Sequence, residues 1–233
     1  MNFEINSGSA VQAAESERVS FIKQTYLHLA GAILAFIALE TVLQMSGIAE
    51  VLTSLMVGRW SWLIVLGAFM GVSHLATKWA SSDASSQGKQ YLGLGLYVIA
   101  EAIIFAPLLL IASMMTSQNV IPTAGILSLF LFSGLTASVF ISKKDLSWMG
   151  RILTIGGFIA LGIIVVSALF GFTLGMLFSA AMIIFAAGSI MYQTSNVLHH
   201  YRTDQHVAAS LALFASVALL FWYLVRFFSA SRN

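Results

Sequence analysis

The sequence predicts an all-α integral membrane protein with seven transmembrane helices. Of its 233 residues, 59% are hydrophobic and only 9% are charged, whereas about 25% are charged in a typical soluble domain. The apolar runs are continuous over about 20 residues, which is typical of membrane helices and not of the alternating strands of an outer-membrane barrel. The chain contains no cysteine, and this excludes disulfides, thiol catalysis and cysteine-ligated metal sites.

The start of the chain is predicted to be a short cytosolic tail, residues 1–23, because three glutamates interrupt it and no apolar core of a signal peptide is present. The Glu15–Lys23 stretch is expected to be helical and to continue into the first span. Residues 24–228 are then predicted to form a single membrane domain, followed by a C-terminal tail at 229–233.

Each span is predicted where about 20 apolar residues can cross the ~30 Å hydrocarbon core as a helix. Tryptophans mark the starts of the second and fifth spans, where aromatic rings favour the headgroup level. The connections are too short for a nucleotide-binding module, which argues against a primary pump. The seven predicted spans are Gln24–Met45, Trp60–Thr77, Tyr91–Met115, Ile121–Ser142, Trp148–Phe170, Thr173–Asn196 and His206–Phe228.

The distribution of Lys and Arg predicts a cytoplasmic N-terminus, because loops on the cytoplasmic side are enriched in these residues. Seven spans would then place the C-terminus outside, although a re-entrant last helix with its end inside is the alternative. The basic residues are spread too thinly for a nucleic-acid patch. The inside set is Arg18, Lys23, Lys78, Lys89, Lys143, Lys144, Arg151 and Arg202, and the outside set is Arg59, Arg226 and Arg232.

Ionisable residues at membrane depth are functional candidates because they cost several kcal/mol to insert. Glu101 lies near the middle of the third span and six residues before Pro107, which removes a backbone hydrogen bond. A carboxylate beside an opened helix is typical of ion sites; the alternative is a protonated glutamate that bonds a neighbouring helix. Glu40 is predicted to be interfacial or snorkelling, and His28 and His74 to lie near the cytosolic face.

Glycine-rich faces are predicted to be helix-packing surfaces, because small residues let helices approach closely in lipid. Gly67 and Gly71 form such a pattern in the second span, and Gly156, Gly157 and Gly162 form another in the fifth.

Catalytic and metal sites are not predicted. His199, His200 and His206 cluster near the start of the last span, but their spacing fits no strong zinc pattern. Ser133 lacks the first glycine of a GxSG motif and has no membrane-depth histidine in the later spans to activate it. We therefore expect no enzyme activity, no cofactor and no bound metal.

Four stretches carry a family resemblance. Gly188–His199 resembles the signature of the Bax inhibitor family, also called the transmembrane BAX inhibitor motif family. Three others are similar to the bacterial YccA-like branch of that family: Phe140–Gly150, Ser210–Ser216 and Phe228–Asn233. The resemblance implies six helices around a central, hydrophobic last helix, in a bacterial inner membrane.

The same resemblance implies a pore site that this chain has altered. The better-known relatives resemble pH-sensitive calcium leak channels in which two aspartates share a proton, one in span six and one in span seven. The matching positions here are Gln193 and Ser216, which cannot hold the negative charge that Ca²⁺ prefers. A pH-gated calcium leak is therefore expected to be absent or weak, unless Glu101 or Glu40 supplies a substitute charge.

The YccA-like branch implies a different role, as a binding modulator of a membrane-anchored ATP-dependent protease of the FtsH type. The N-terminal tail with Glu15, Glu17 and Arg18 would then engage this partner. The alternative is a calcium or proton leak channel or transporter, with Glu101, Gln193, Ser216 and Glu40 as candidate pore or packing residues. A structural protein that senses the state of the bilayer is a third hypothesis.

Overall fold

A computed structural model describes residues 13–56, 58–82, 87–115 and 119–231. In these ranges the chain is entirely helical, and seven of its helices are long and apolar enough to cross a membrane. This confirms the predicted all-α membrane fold. The helices are α1 (Glu15–Met45), α2 (Ile48–Met56), α3 (Arg59–Ala80), α4 (Gln87–Met115), α5 (Val120–Ser142), α6 (Trp148–Phe170), α7 (Met176–His199) and α8 (His206–Ala230).

The first helix is longer than a membrane crossing requires. Its 31 residues extend about 46 Å at 1.5 Å per residue, against a hydrocarbon core of about 30 Å. One face of α1 is buried at intervals of three and four residues, which include Phe21, Leu29 and Phe36. The turns before Phe21 carry exposed polar side chains, so the predicted helical lead into the first span is confirmed.

A short helix, α2, occupies the connection between the first two spans, where the sequence predicted only a linker. Its nine residues are too few to cross a bilayer. Glycines with positive φ, Gly47 at 76° and Gly58 at 145°, lie on either side of it. Ile48, Val51 and Leu55 are exposed along one side, and an exposed apolar face of this kind is typical of a helix at the membrane interface.

The last spanning helix forms the centre of the bundle. In its most apolar 18-residue window 72% of residues are buried, against 6–22% in α1, α3, α5, α6 and α7. It packs against α1, α3, α4, α5 and α7. The expectation of a central last helix is confirmed. Its 25 residues form one continuous helix, about 37 Å long, which is sufficient for a single crossing without re-entry.

Two helices approach each other very closely at Gly93 of α4. A Cβ atom at this position would lie 2.5 Å from the backbone oxygen of Ala76 and 2.6 Å from the backbone nitrogen of Ala80, both on α3. Only a glycine allows the two backbones to pack at this distance.

The predicted glycine faces have different outcomes. Gly67 and Gly71 are exposed on α3 and have open space around them, so this predicted packing face meets no described helix of the same chain, and packing against another molecule stays a prediction. On α6 the prediction is confirmed at Gly156, where a Cβ would approach the ring of Phe185 to 3.1 Å, but Gly162 has no neighbour within 4 Å of such an atom.

Candidate functional site

A cavity of about 800 Å³ lies between α3, α4, α6, α7 and α8. Glu101, Gln193 and Ser216 all line it. The structure therefore brings three of the four candidate pore residues to one place, from three different helices. Glu40 does not belong to this lining.

Glu101 contributes the only carboxyl group to the cavity wall among the described residues. It is 6% exposed, and the hydroxyl of Tyr97, one turn earlier on α4, lies beside its carboxyl group. Tyr97 is itself buried and contacts Ser73 of α3. The helix continues through Pro107 without a break. Glu101 therefore lies on a continuous helix and not beside an opened one.

Gln193 and Ser216 lie on the two helices that pack most closely, α7 and α8. The Oγ atoms of Ser189 and Ser216 are 2.9 Å apart and form a hydrogen bond between these helices. Ser216 Oγ also donates to the backbone oxygen of Ala212 at 3.0 Å. The Gln193 Oε1 accepts a hydrogen bond from Asn196 Nδ2 at 3.3 Å. The site of the implied aspartate pair is thus a neutral hydrogen-bonding site.

One ionisable side chain lies towards each end of the cavity. His74 lines it near the end of α3, and Arg226 lines it near the end of the antiparallel α8. At the Arg226 end, the rings of Trp62 and Trp222 stack with centroids 6.2 Å apart. The interior between these ends combines serine and tyrosine hydroxyls with a largely aliphatic and aromatic wall.

Three lining residues were missed from the sequence. Tyr97 lies four residues before Glu101 on the same helix, a spacing that places two side chains on one face. Ser189 belongs to the signature stretch already singled out. Arg226 was assigned to the outside set because seven spans place the end of the last helix outside, and only the packing of α8 shows that it reaches the cavity.

Glu40 lies apart from the cavity, between α1 and α4. It is 5% exposed, so the prediction of a snorkelling or interfacial side chain is wrong. Gln44 Nε2 lies 3.4 Å from its Oε2 atom and donates to the backbone oxygen of Ala106 at 3.0 Å. Its Oε1 atom has no hydrogen-bond partner among the described residues. The cause of this burial is the position of Glu40 on the buried face of α1, which the sequence pattern did not reveal.

The histidines do not assemble into a metal site. His28 bonds the hydroxyl of Tyr91 at 3.0 Å through Nε2 and lies with its ring centroid 5.0 Å from that of His206. His199 bonds the backbone oxygen of Ser195, whereas His200 bonds the carboxylate of Asp145. Across the described ranges no three metal-ligating side chains come together.

The candidate partner-engaging residues lie at the start of α1. Glu15 and Glu17 are exposed in its first turn and Arg18 is half-buried. Residues 1–12 of the predicted tail lie outside the described residues.

Two of the stretches that carry the family resemblance are in contact with each other. The Ser195 Oγ of the α7 signature accepts a hydrogen bond from the backbone N–H of Leu146 at 2.9 Å. His200 Nε2 bonds Asp145 Oδ1 at 3.1 Å, and the same oxygen accepts from the backbone N–H of Ser147 at 2.9 Å. These partners lower the pKa of Asp145. The α5–α6 connection is therefore fastened to the end of α7.

Comparison with known proteins places these features in a family. The model of the family described as inhibitor of apoptosis-promoting Bax1 matches residues 18–233. Protein LIFEGUARD 4 of Arabidopsis thaliana is 28% identical over 222 residues, which cover 92% of this chain and 86% of that protein.

Two further relatives match shorter segments. An uncharacterised protein of Pseudomonas aeruginosa is 32% identical over 111 residues, 47% of this chain and half of that protein. The Golgi anti-apoptotic protein of vaccinia virus is 30% identical over 132 residues, 54% of each chain. Since the family model covers nearly the whole sequence and the relatives include bacterial proteins, this multi-pass membrane chain belongs to the Bax inhibitor family.

Proposed function

We propose that this protein passes cations, protons above all, through the cavity around Glu101. The observation that carries the proposal is a buried carboxyl group that lines the same cavity as the two positions of the implied family pair. Intramembrane acids that face a cavity mark ion and proton pathways in membrane proteins. Glu101 would supply the charge that Gln193 and Ser216 do not.

The side chains around the cavity favour protons over Ca²⁺. Calcium takes six to eight oxygen ligands and prefers carboxylates, and the described lining offers one carboxyl group. A proton needs only a chain of groups that can accept and release it. Glu101, His74 and the hydroxyls of Tyr97 and Ser189 are such groups.

The test is proton and Ca²⁺ flux into liposomes that contain the purified protein, between pH 6 and 8. Native protein is expected to leak protons above the level of protein-free liposomes and to leak little Ca²⁺. The variants Gln193→Asp and Gln193→Asp/Ser216→Asp are expected to raise the Ca²⁺ flux stepwise, because they restore carboxylates to the cavity. If the native protein shows no proton flux and neither variant shows Ca²⁺ flux, the cavity does not conduct cations and the proposal is wrong.

A second candidate function, binding and modulation of a membrane-anchored ATP-dependent protease of the FtsH type, is favoured by the start of α1. This helix is longer than the hydrocarbon core, and its exposed Glu15 and Glu17 precede the first buried side chain, Phe21. A partner could contact this end without disturbing the bundle. This proposal follows the YccA-like resemblance, and it requires an inner-membrane location and a cytoplasmic N-terminus.

Deletion of residues 1–20 tests the second candidate, because the deletion stops before Phe21. Turnover of the protein by such a protease, and its effect on the degradation of another membrane substrate, are measured in reconstituted vesicles. The deletion is expected to change both and to leave thermal stability in detergent unchanged. The milder Glu15→Lys/Glu17→Lys variant is expected to act in the same direction. Equal turnover of native and truncated protein would refute this role.

A further inference from the structure

A second, polar pocket lies at the end of the bundle where α5 meets α6 and α7 meets α8. Its volume is about 350 Å³, and it is distinct from the Glu101 cavity. It is lined by Ser147, Tyr192, Asn196, His200, Tyr201 and Gln205. Every one of these side chains carries a hydrogen-bonding group, which is unusual at the surface of so apolar a chain.

Three hydrogen-bond donors in this pocket, the Tyr192 hydroxyl, the Tyr201 hydroxyl and the Gln205 side-chain amide, have no partner within the described parts of the chain, whereas Asn196 donates to Gln193 and Ser147 bonds Asp145. The hydroxyls of Tyr192 and Tyr201 make no hydrogen bond there, and Gln205 uses only its Oε1 atom, which accepts from the backbone N–H of Arg202 at 3.1 Å. His200 is bonded through Nε2 alone. Burial, and the facing phenol of Tyr192, raise the pKa of Tyr201 to about 12. Its hydroxyl therefore keeps its proton and remains a donor at neutral pH.

Contacts of the α5–α6 connection and of Gly150 hold the pocket in shape. Ser195 and His200 fasten the α5–α6 connection to α7 through Leu146 and Asp145. A Cβ at Gly150 would lie 2.7 Å from the Tyr192 hydroxyl oxygen, so the Tyr192 ring can occupy this position only because residue 150 is a glycine. Fixed donors bind a ligand with a smaller ordering cost than mobile ones.

Basic residues outnumber acidic ones on the segments that border the pocket. Lys143, Lys144 and Arg151 are exposed there, beside Asp145, which accepts a hydrogen bond from His200, and the Arg202–Asp204 ion pair. The first turn of α6 begins directly after Ser147, and the partial positive charge of a helix N-terminus adds to this field. Unused donors and a positive rim favour a ligand that is an anion rich in acceptor oxygens.

We propose that this pocket binds a phosphate group, as a phosphomonoester or phosphodiester. Tyrosine and glutamine donors with nearby basic residues suit phosphate oxygens. The volume leaves room for the organic substituent that such an ester carries. The phosphate could belong to an anionic lipid headgroup, because basic residues at the ends of spanning helices attract anionic lipid, or to a soluble ester.

Two probes distinguish these sources with the full-length protein in nanodiscs. In nanodiscs of phosphatidylcholine alone, glycerol 3-phosphate is titrated by calorimetry. In parallel, the thermal midpoint is compared between phosphatidylcholine nanodiscs and nanodiscs that also contain phosphatidylglycerol. Binding of glycerol 3-phosphate indicates a soluble ester. A rise in the thermal midpoint with phosphatidylglycerol, without binding of glycerol 3-phosphate, indicates a lipid headgroup. If neither probe has an effect, the proposal is wrong.

The variant Tyr192→Phe/Tyr201→Phe removes two donors and keeps both rings. It is expected to weaken the effective probe about tenfold or more, since each lost hydrogen bond to a charged group has a large effect on affinity. Tyr91→Phe, which changes a phenol outside the pocket, is the matched control and is expected to bind as the native protein does. Gln205→Glu places a negative charge in the pocket with almost no change of shape and is expected to abolish binding. Unchanged binding in these pocket variants, with a response only to ionic strength, would show a non-specific attraction and overturn the proposal.

Discussion

Two buried glutamates in this protein have different surroundings. Glu101 faces a cavity and shares it with Tyr97, Ser216 and Gln193, whereas Glu40 is packed between α1 and α4 with Gln44 as its hydrogen-bond partner. A buried carboxyl group is costly unless it is neutral or paired. A structural role explains Glu40, while access to a cavity gives Glu101 the chance to exchange a proton.

The Ser189–Ser216 hydrogen bond is expected to stabilise the contact between α7 and α8. Ser216→Ala removes a buried hydroxyl that bridges the two helices. Hydrogen bonds between membrane helices contribute about 0.6 kcal/mol on average, so a loss of about 0.5–1.5 kcal/mol is expected in reversible unfolding in mixed micelles. Ser133→Ala is the control, because Ser133 is exposed and bonds only Leu129 of its own helix. An equal effect of the two changes would show that the bridge contributes nothing.

At the scale of helices, the contact between α3 and α4 depends on one glycine. Gly93→Ala is expected to destabilise the protein by several kcal/mol, because the new methyl group would meet backbone atoms of Ala76 and Ala80 that have no freedom to move aside. Gly95→Ala, two residues along the same helix, meets no atom within 4 Å and is expected to be neutral or slightly stabilising, since alanine favours a helix. Thermal midpoints in detergent give the comparison. Similar midpoints for the two variants would refute the close approach at Gly93.

The contacts of Asp145 in the α5–α6 connection are expected to make the stability of the protein decrease at acidic pH. The pKa of Asp145 is lowered from its ordinary value of 3.8 by His200 and by the backbone N–H of Ser147. A lowered pKa in the folded state stabilises the protein above the unfolded pKa, and this contribution is lost as pH falls through the folded value. The thermal midpoint of native protein should therefore exceed that of Asp145→Asn at about pH 5, and the difference should shrink below about pH 4. A difference that grows on acidification would contradict the assigned contacts.

Helix positions were predictable from the sequence, whereas helix contacts were not. The bounds of α6 were predicted correctly from apolar length alone, and α7 begins only three residues later than predicted, after the left-handed Gly171. The short α2 was missed, because its nine residues fall short of the apolar run of about 20 residues that marks a span. Gly93 was missed and Gly67 and Gly71 were overrated for a shared reason: the pattern of glycines does not show which face of a helix meets a neighbour.

At the scale of the molecule, seven crossings would place the two ends of the chain on opposite sides of the membrane. The absence of cysteine makes this directly testable with the single-cysteine variants Ser16→Cys and Ser231→Cys, which change two exposed positions. In sealed inside-out and right-side-out vesicles, a membrane-impermeant maleimide is expected to label each variant in only one of the two preparations, and in opposite ones. Labelling of both variants from the same side would require an even number of crossings.

The candidate site was predictable only in part. Glu101 was evident from the cost of a charge at membrane depth, and Gln193 and Ser216 came from the family resemblance. Their common cavity depends on how five helices pack, and no periodicity within one helix contains that information. The central place of α8 brings these side chains together, because it contacts both α4 and α7.

The most direct test of the cation pathway is the proton flux of liposomes with native protein, Glu101→Gln and Glu40→Gln, each confirmed as folded. Both substitutions neutralise a buried carboxyl group at nearly constant shape, but only the first lies on the cavity wall. Glu101→Gln is expected to reduce the flux at least tenfold, because it removes the carboxyl group that faces the cavity. Glu40→Gln is expected to leave the flux within about twofold of native, because Glu40 does not line the cavity. Native flux in Glu101→Gln, or an equal loss in both variants, would contradict the assignment of the pathway to the Glu101 cavity.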